Sequence, residues 1–253
     1  MKKYSYVGIS FIVLIFGIMF IPKIVNRIKD TKIVSNSRMS AENHITNEKL
    51  AYLNINGTNK KIPEFAFRNQ DSLLITQHDF KGKVTIVDFF FIHCPTICPK
   101  MTNNLVYLQN QFKDSNDFGI ASFTINPEMD TPTPLKKYAD AHKVTNPNWH
   151  FLTGDRKQIY DIARNGFNIF AEGNPDVPGG FEHSGYFALV DKNGFLRSRY
   201  DGHGNPIVYY RGTVSIEDKV DPNGEEEQIN ILAQDIKKLL EKYGGIPEQI
   251  TCN

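Results

Sequence analysis

The sequence predicts an α/β protein: a mixed sheet flanked by helices, behind an N-terminal transmembrane helix. Three observations carry the prediction. The uninterrupted apolar run Val84–Phe91 reads as a buried strand, and a helical pattern follows almost at once. Strand-like and helix-like stretches then alternate, which argues for parallel neighbours joined by crossover helices. Near the end, two strands are joined only by Asp191-Lys192-Asn193-Gly194, a connection short enough for an antiparallel pair alone.

The chain of 253 residues is 40% hydrophobic and 23% charged, which suits one domain with a real core plus extensions. A net charge of +1 gives no reason to expect a nucleic-acid partner. Tyr4–Pro22 is apolar and uncharged, close to the roughly 20 residues needed to cross a bilayer. Lys2 and Lys3 precede it, and the bulky Phe20-Ile21-Pro22-Lys23 stands where a cleavable signal would show small residues. An uncleaved anchor at 4–22 is therefore expected. Basic residues on both flanks leave its orientation undecided. Residues 23–49 are expected to be a polar linker, and 50–245 the folded domain.

Within that domain, Leu50–Leu53 and Lys61-Ile62 flank Asn56-Gly57, a hairpin signal. Phe65 and Phe67 alternate with smaller or polar neighbours, and Leu73–Thr76 reads as a short strand. After the central strand, Leu105, Leu108 and Phe112 recur at helical spacing. Phe118–Ile125 is the next strand, Asn126–Pro132 a loop and Thr133–His142 a helix. Trp149–Leu152 is short and apolar, and Ile159, Ile162 and Phe167 mark a third helix. Gly173–Gly180 is a Pro/Gly-rich loop ahead of the strands Tyr186–Val190 and Phe195–Tyr200. Residues 202–225 read as an irregular insertion, and Ile229–Tyr243 as a closing amphipathic helix. The order β-β-α-β-α-α-β-β-α, preceded by hairpin strands, gives a mixed sheet of the thioredoxin-like kind.

The chemistry centres on Cys94 and Cys98, set between the central strand and the helix behind it. Residues four apart share a helical face, and a helix N-terminus favours thiolate. Two such sulfurs can close a disulfide or jointly hold a soft metal ion, and their spacing does not choose between these. The third cysteine, Cys252, lies at the C-terminal tail and reads as a bystander. A metal would need a further ligand, for which a histidine is the natural source. Seven are present: His44, His78, His93, His142, His150, His183 and His203. His44 falls in the linker and His78 in a turn. His93 sits at a strand end, where it points away from its neighbour. His142 ends a helix, where a cation suits the dipole. His150 adjoins Trp149 and is expected to pack. His203 lies in a Gly-rich stretch. His183 lies between the Pro/Gly-rich loop and the strand Tyr186–Val190, and its position alone leaves open a ligand or a satisfied loop histidine, with His203 as an outside candidate.

Phe91-Ile92-His93-Cys94-Pro95-Thr96-Ile97-Cys98-Pro99 resembles the copper-site motif of the Sco/SenC family. Phe123–Pro132 resembles that family's S-x-D-P-x-x-D-T-P segment, and Leu152-Thr153-Gly154 its L-T-G. Glu182-His183-Ser184, followed by Phe187–Asp191 and Gly194, resembles its histidine-bearing segment. Asn126 and Glu182 depart from it, each standing where the family usually has Asp. The resemblance spans about Pro63–Tyr200 and the last helix, and finds no counterpart for 202–225. It implies that Cys94, Cys98 and His183 hold copper, as Cu(I) or Cu(II). It also implies that the protein delivers copper to cytochrome c oxidase, or reduces the cysteines of the subunit that receives it.

Two other readings of the cysteine pair stand beside this one. The first is a thiol-disulfide oxidoreductase acting without metal transfer, in which Cys94 and Cys98 are the redox-active pair. The second is a peroxiredoxin-like peroxidase, suggested by Pro63-Glu64-Phe65 and Asp79–Lys83. A dithiol pair behind an N-terminal anchor suits the non-cytosolic side of a membrane. In a bacterium that is the periplasmic face of the inner membrane and in a eukaryote the mitochondrial intermembrane space; the Lys-, Ile- and Asn-rich composition leans toward the bacterium.

Overall fold

Continuous apolar runs form the middle of the sheet, and shorter mixed segments form its edges. The computed structural model describes residues 50–55, 57–177, 179–201 and 204–244. The expected anchor (4–22) and linker (23–49), together with Asn56, His203 and Cys252, lie outside the described residues. Among the described residues no helix is long and apolar enough to cross a membrane.

The elements run β1 (Ala51–Tyr52), β2 (Asn54–Ile55), β3 (Thr58–Asn59), β4 (Ala66–Arg68), β5 (Leu74–Thr76), a 3-10 turn at Gln77–Phe80 and β6 (Val84–Phe90). Then come α1 (Cys98–Gln111), β7 (Phe118–Thr124), α2 (Pro132–Ala141), β8 (Trp149–Leu152) and α3 (Arg156–Asp161), which continues as a π-helical turn at Ile162–Gly166. The chain closes with β9 (Ala171–Gly173), β10 (Phe181–His183), β11 (Tyr186–Val190), β12 (Leu196–Ser198), β13 (Tyr210–Arg211) and α4 (Ile229–Gly244).

The main sheet has the order β1-β12-β11-β6-β7-β8, with β13 also pairing β11. The β6–β7 and β7–β8 pairs are parallel, as crossover helices require, while β11 joins β6 and β12 antiparallel. β6 and β7 are buried at every position, so both faces of the sheet are covered there. Phe65, Phe67, Phe89 and Phe167 all meet the ring of Phe123, with centroids 5.2–6.4 Å apart. This is the thioredoxin-like mixed sheet the sequence predicts.

Four details differ from expectation. Only β2 and β3 form the early hairpin, while β1 leaves it to pair with β12. The buried Arg197 guanidinium draws β1 there by donating to the carbonyls of Leu50 and Ala51. Trp149–Leu152 is a parallel edge strand, its brevity compensated by pairing with β7. The third helix does not run regularly to Phe167. The amide of Phe167 bonds five residues back to Ile162, and this wider turn swings its ring into the core. Residues 202–225 are not wholly irregular, because β13 joins β11 and buries Tyr210 and Val214.

Candidate metal centre

β6 ends at Phe90, and the chain turns through Phe91–Ile97 before α1 starts at Cys98. Ile97, at the N-cap, has no side chain able to satisfy the first amides. Cys94 Sγ does so instead, accepting the Cys98 amide at 3.4 Å. Thr96 Oγ1 lies 3.6 Å from the same sulfur. Local sequence thus aims the Cys94 sulfur at the positive end of a helix. The thiol of Cys98, donating to Cys94, holds Cys94 far below the usual thiol range, and His183 adds to the effect against burial. Cys98, sharing that proton and buried, is pushed well above it. The pair therefore favours one thiolate and one thiol.

The imidazole arrives from a distant part of the chain. The Gly173–Gly180 segment, expected as a loop, forms the connection of the β9–β10 hairpin, and His183 ends its second strand. His183 Nε2 lies 3.2 Å from Cys98 Sγ. One ligand atom from each of Cys94, Cys98 and His183 falls within 4.8 Å of the others. Both cysteines are free and buried, and the imidazole is half-buried.

The hairpin reaches the cysteines by close approach. Gly179 has φ +89, and a Cβ there would lie 2.9 Å from the Phe91 ring and 3.1 Å from Pro95 Cδ. Only glycine suits both that backbone conformation and that contact. Phe91 then packs on Phe181 and edge-on to His183, with centroids 5.2 and 6.2 Å apart.

The other histidines that the structure describes stand apart from this group. His78 and His93 are exposed. His150 packs edge-on to Phe80, with its Nδ1 3.2 Å from Asn69 Nδ2. His142 caps α2 beside Tyr138, but burial lowers its pKa and favours the neutral ring over the cation expected there. His44 and His203 lie outside the described residues.

Sequence reasoning assigned no role to Asp130. Its Oδ2 accepts the Ile92 amide at 3.1 Å and the Thr124 hydroxyl at 2.5 Å, pinning the chain two residues before Cys94. Its carboxyl pKa is raised by burial. The signal was present, since Asp130 belongs to the quoted D-T-P segment, but one sequence cannot say which residue of a motif turns inward.

The donor set is soft. Two sulfurs and one imidazole match Cu(I), and the imidazole also tolerates Cu(II), whereas hard cations prefer carboxylate and carbonyl oxygen. The residues present fit copper by that chemistry.

Comparison with known proteins agrees in sequence and fold. The SCO1/SenC family model matches residues 54–216. The SCO1 protein homolog of Bacillus subtilis (strain 168) is 36% identical over 146 residues, covering 57% of this chain and 75% of that one. Among solved structures, BsSco is described as a member of the Sco family of cytochrome c oxidase assembly proteins with a disulfide switch. It is similar at TM-score 0.57 and 28% identity, covering 76% of this chain and 97% of that one. Copper-bound ScoI of Bradyrhizobium japonicum has TM-score 0.51 and 20% identity, covering 71% of this chain and 99% of that one. At that identity the likeness is one of fold. With a family match across most of the domain and the same mixed sheet, the chain belongs to the SCO1/SenC family.

Proposed function

We propose that this protein binds copper through Cys94, Cys98 and His183 and serves cytochrome c oxidase assembly. It either hands the ion to the oxidase subunit that houses the copper centre or reduces the cysteines that receive it. The observation that carries the reading is the convergence of two buried sulfurs and one imidazole, from segments far apart in sequence, within 4.8 Å. Copper is cargo here. Cys94 offers a ready thiolate, Cys98 releases a proton on binding, and His183 supplies the ligand that lets the site hold either oxidation state. The family relationship supports the oxidase as recipient.

In this reading residues 4–22 anchor the chain, 23–49 lift the domain off the bilayer and 50–245 carry the site. The domain faces the non-cytosolic side, on a bacterial inner membrane the periplasm. The apolar, uncharged character of Tyr4–Pro22 supports the anchor, and the free dithiol pair supports the compartment.

A specific observation keeps thiol-disulfide exchange as a second reading. The low-lying thiolate of Cys94 beside the thiol of Cys98 is the arrangement of an attacking and a resolving cysteine. Titration of the full-length protein with copper separates the two. Copper delivery predicts about one ion per chain and thiolate-to-copper absorption lost in His183→Ala. Turnover of a disulfide substrate in metal-free buffer, with no copper bound at stoichiometric concentration, would replace it with the redox reading.

A further inference from the structure

The segment read from sequence as an irregular insertion meets the metal centre from behind. Asn104 on α1 is 2% exposed, and its carboxamide is spent on that segment. Its Nδ2 donates to the carbonyls of Gly212 at 3.0 Å and Val214 at 2.8 Å, and its Oδ1 accepts the Ile216 amide at 3.3 Å. The Gly212 amide donates in turn to the Gly185 carbonyl at 2.8 Å, two residues after His183. Gly185 has φ +67. A Cβ there would strike Thr213 of the same segment and lie 3.2 Å from Ile97 Cδ1, next to Cys98. The Ser184-Gly185 turn is thus held between the residue preceding the helix cysteine and a strap tied to the same helix.

We infer that Asn104 is a positioning residue: by fixing the strap 212–216, it holds the His183 turn against the cysteine helix and sets the imidazole within reach of both sulfurs. The inference rests on the reading that Cys94, Cys98 and His183 bind copper. The cysteines are placed by contiguous chain, strand to turn to helix. The imidazole comes from a hairpin, and the strap links the end of that hairpin to α1. Without the strap the two sulfurs keep their geometry, and the third ligand loses a support.

The test is a double-mutant cycle on copper(I) affinity in the full-length protein, measured by competition with a chromophoric chelator well below the melting temperature. Asn104→Leu is expected to weaken copper about tenfold in the parent and to have no further effect in a His183→Ala background, because it acts through that ligand. Should Asn104→Leu fail to fold, Asn104→Ser, too short to reach both carbonyls, takes its place. A purely structural role lowers the melting temperature in every background and leaves copper affinity unchanged, which would overturn the inference. So would an equal loss of affinity with and without His183. A parent protein that binds no copper, or binds it equally well as His183→Ala, overturns the copper-site reading instead and is told apart by those two controls.

Discussion

Two kinds of buried polar cluster in this domain are built to opposite ends. In the first, Arg197 pairs with Asp191 at 2.7 Å and donates to two backbone carbonyls, under the ring of Tyr52. Likewise, Asp235 accepts from Arg199 at 2.7 and 2.8 Å and from the Tyr210 hydroxyl at 2.8 Å. These charges are matched by the protein itself. In the second, Cys94, Cys98 and His183 are linked only by the Cys98 amide and a sulfur–imidazole contact, at 3.4 and 3.2 Å, with no ion pair among the described residues to match them. Three buried side-chain atoms find no partner among the described residues, and two of them flank this site: Asp130 Oδ1 and Ser184 Oγ. The third, Arg211 Nε, lies on β13. A cluster saturated by ion pairs fastens a fold, whereas one of sulfur and imidazole without an ion pair keeps soft lone pairs open to a ligand.

Breaking each cluster should therefore produce different failures. The largest effect is expected at the open one. Cys94→Ala or Cys98→Ala removes a sulfur donor and should weaken copper(I) binding more than any other single change, while the metal-free fold loses at most about a helix cap at Cys94, roughly 0.5–2 kcal/mol. A chelator competition assay beside a thermal melt checks both halves. The saturated cluster predicts the reverse. Arg197→Ala removes the cation from the buried Asp191 carboxylate, which keeps the Asn193 and Phe195 amides, and should destabilise the fold by roughly 3–5 kcal/mol. Copper affinity of the molecules that remain folded should be unchanged. Denaturant titration gives the first number and copper competition the second.

Copper itself sharpens the contrast. Ligand that binds only the folded state stabilises it, by about 2.7 kcal/mol at a free concentration 100 times the dissociation constant. Copper should raise the melting temperature of the parent and of a Lys237→Ala surface variant alike, and leave Cys94→Ala where it was. A smaller effect concerns a further buried acid. Asp88, on β6, accepts the Ser122 hydroxyl at 2.5 Å, which in turn accepts from the Trp149 indole at 3.0 Å. Burial pushes its carboxyl up to about 7. The folded state then holds the proton more tightly than the unfolded chain. Stability attributable to Asp88 is full below about pH 4 and is lost as the pH rises towards 7, by up to a few kcal/mol. Asp88→Asn should flatten that part of the pH profile in urea melts and gain stability over the parent at pH 7.

The same contrast explains what was legible in the sequence. The cysteine turn could be read because its strand, sulfurs and helix are contiguous from Val84 to Gln111, and apolar runs and helical spacing are local signals. The main sheet followed for the same reason. What stayed hidden depends on partners far along the chain. β9 and β10 carry no alternation of their own and exist because they pair with each other and pack on Phe91. β13 is two residues long and is a strand only because β11 lies beside it. Asn104 reads as an ordinary polar helix residue until the strap 212–216 is folded across it. His183 was singled out among seven histidines by the family resemblance of its segment, since position alone left it open, and its distance to Cys98 is a product of the whole fold.

X-ray absorption at the copper edge of the full-length protein loaded with one equivalent of copper tests the central claim most directly. Two sulfur scatterers and one imidazole nitrogen are predicted, with the imidazole signature absent in His183→Ala. A first shell of two sulfurs unchanged by that substitution, or one of nitrogen and oxygen alone, would contradict it.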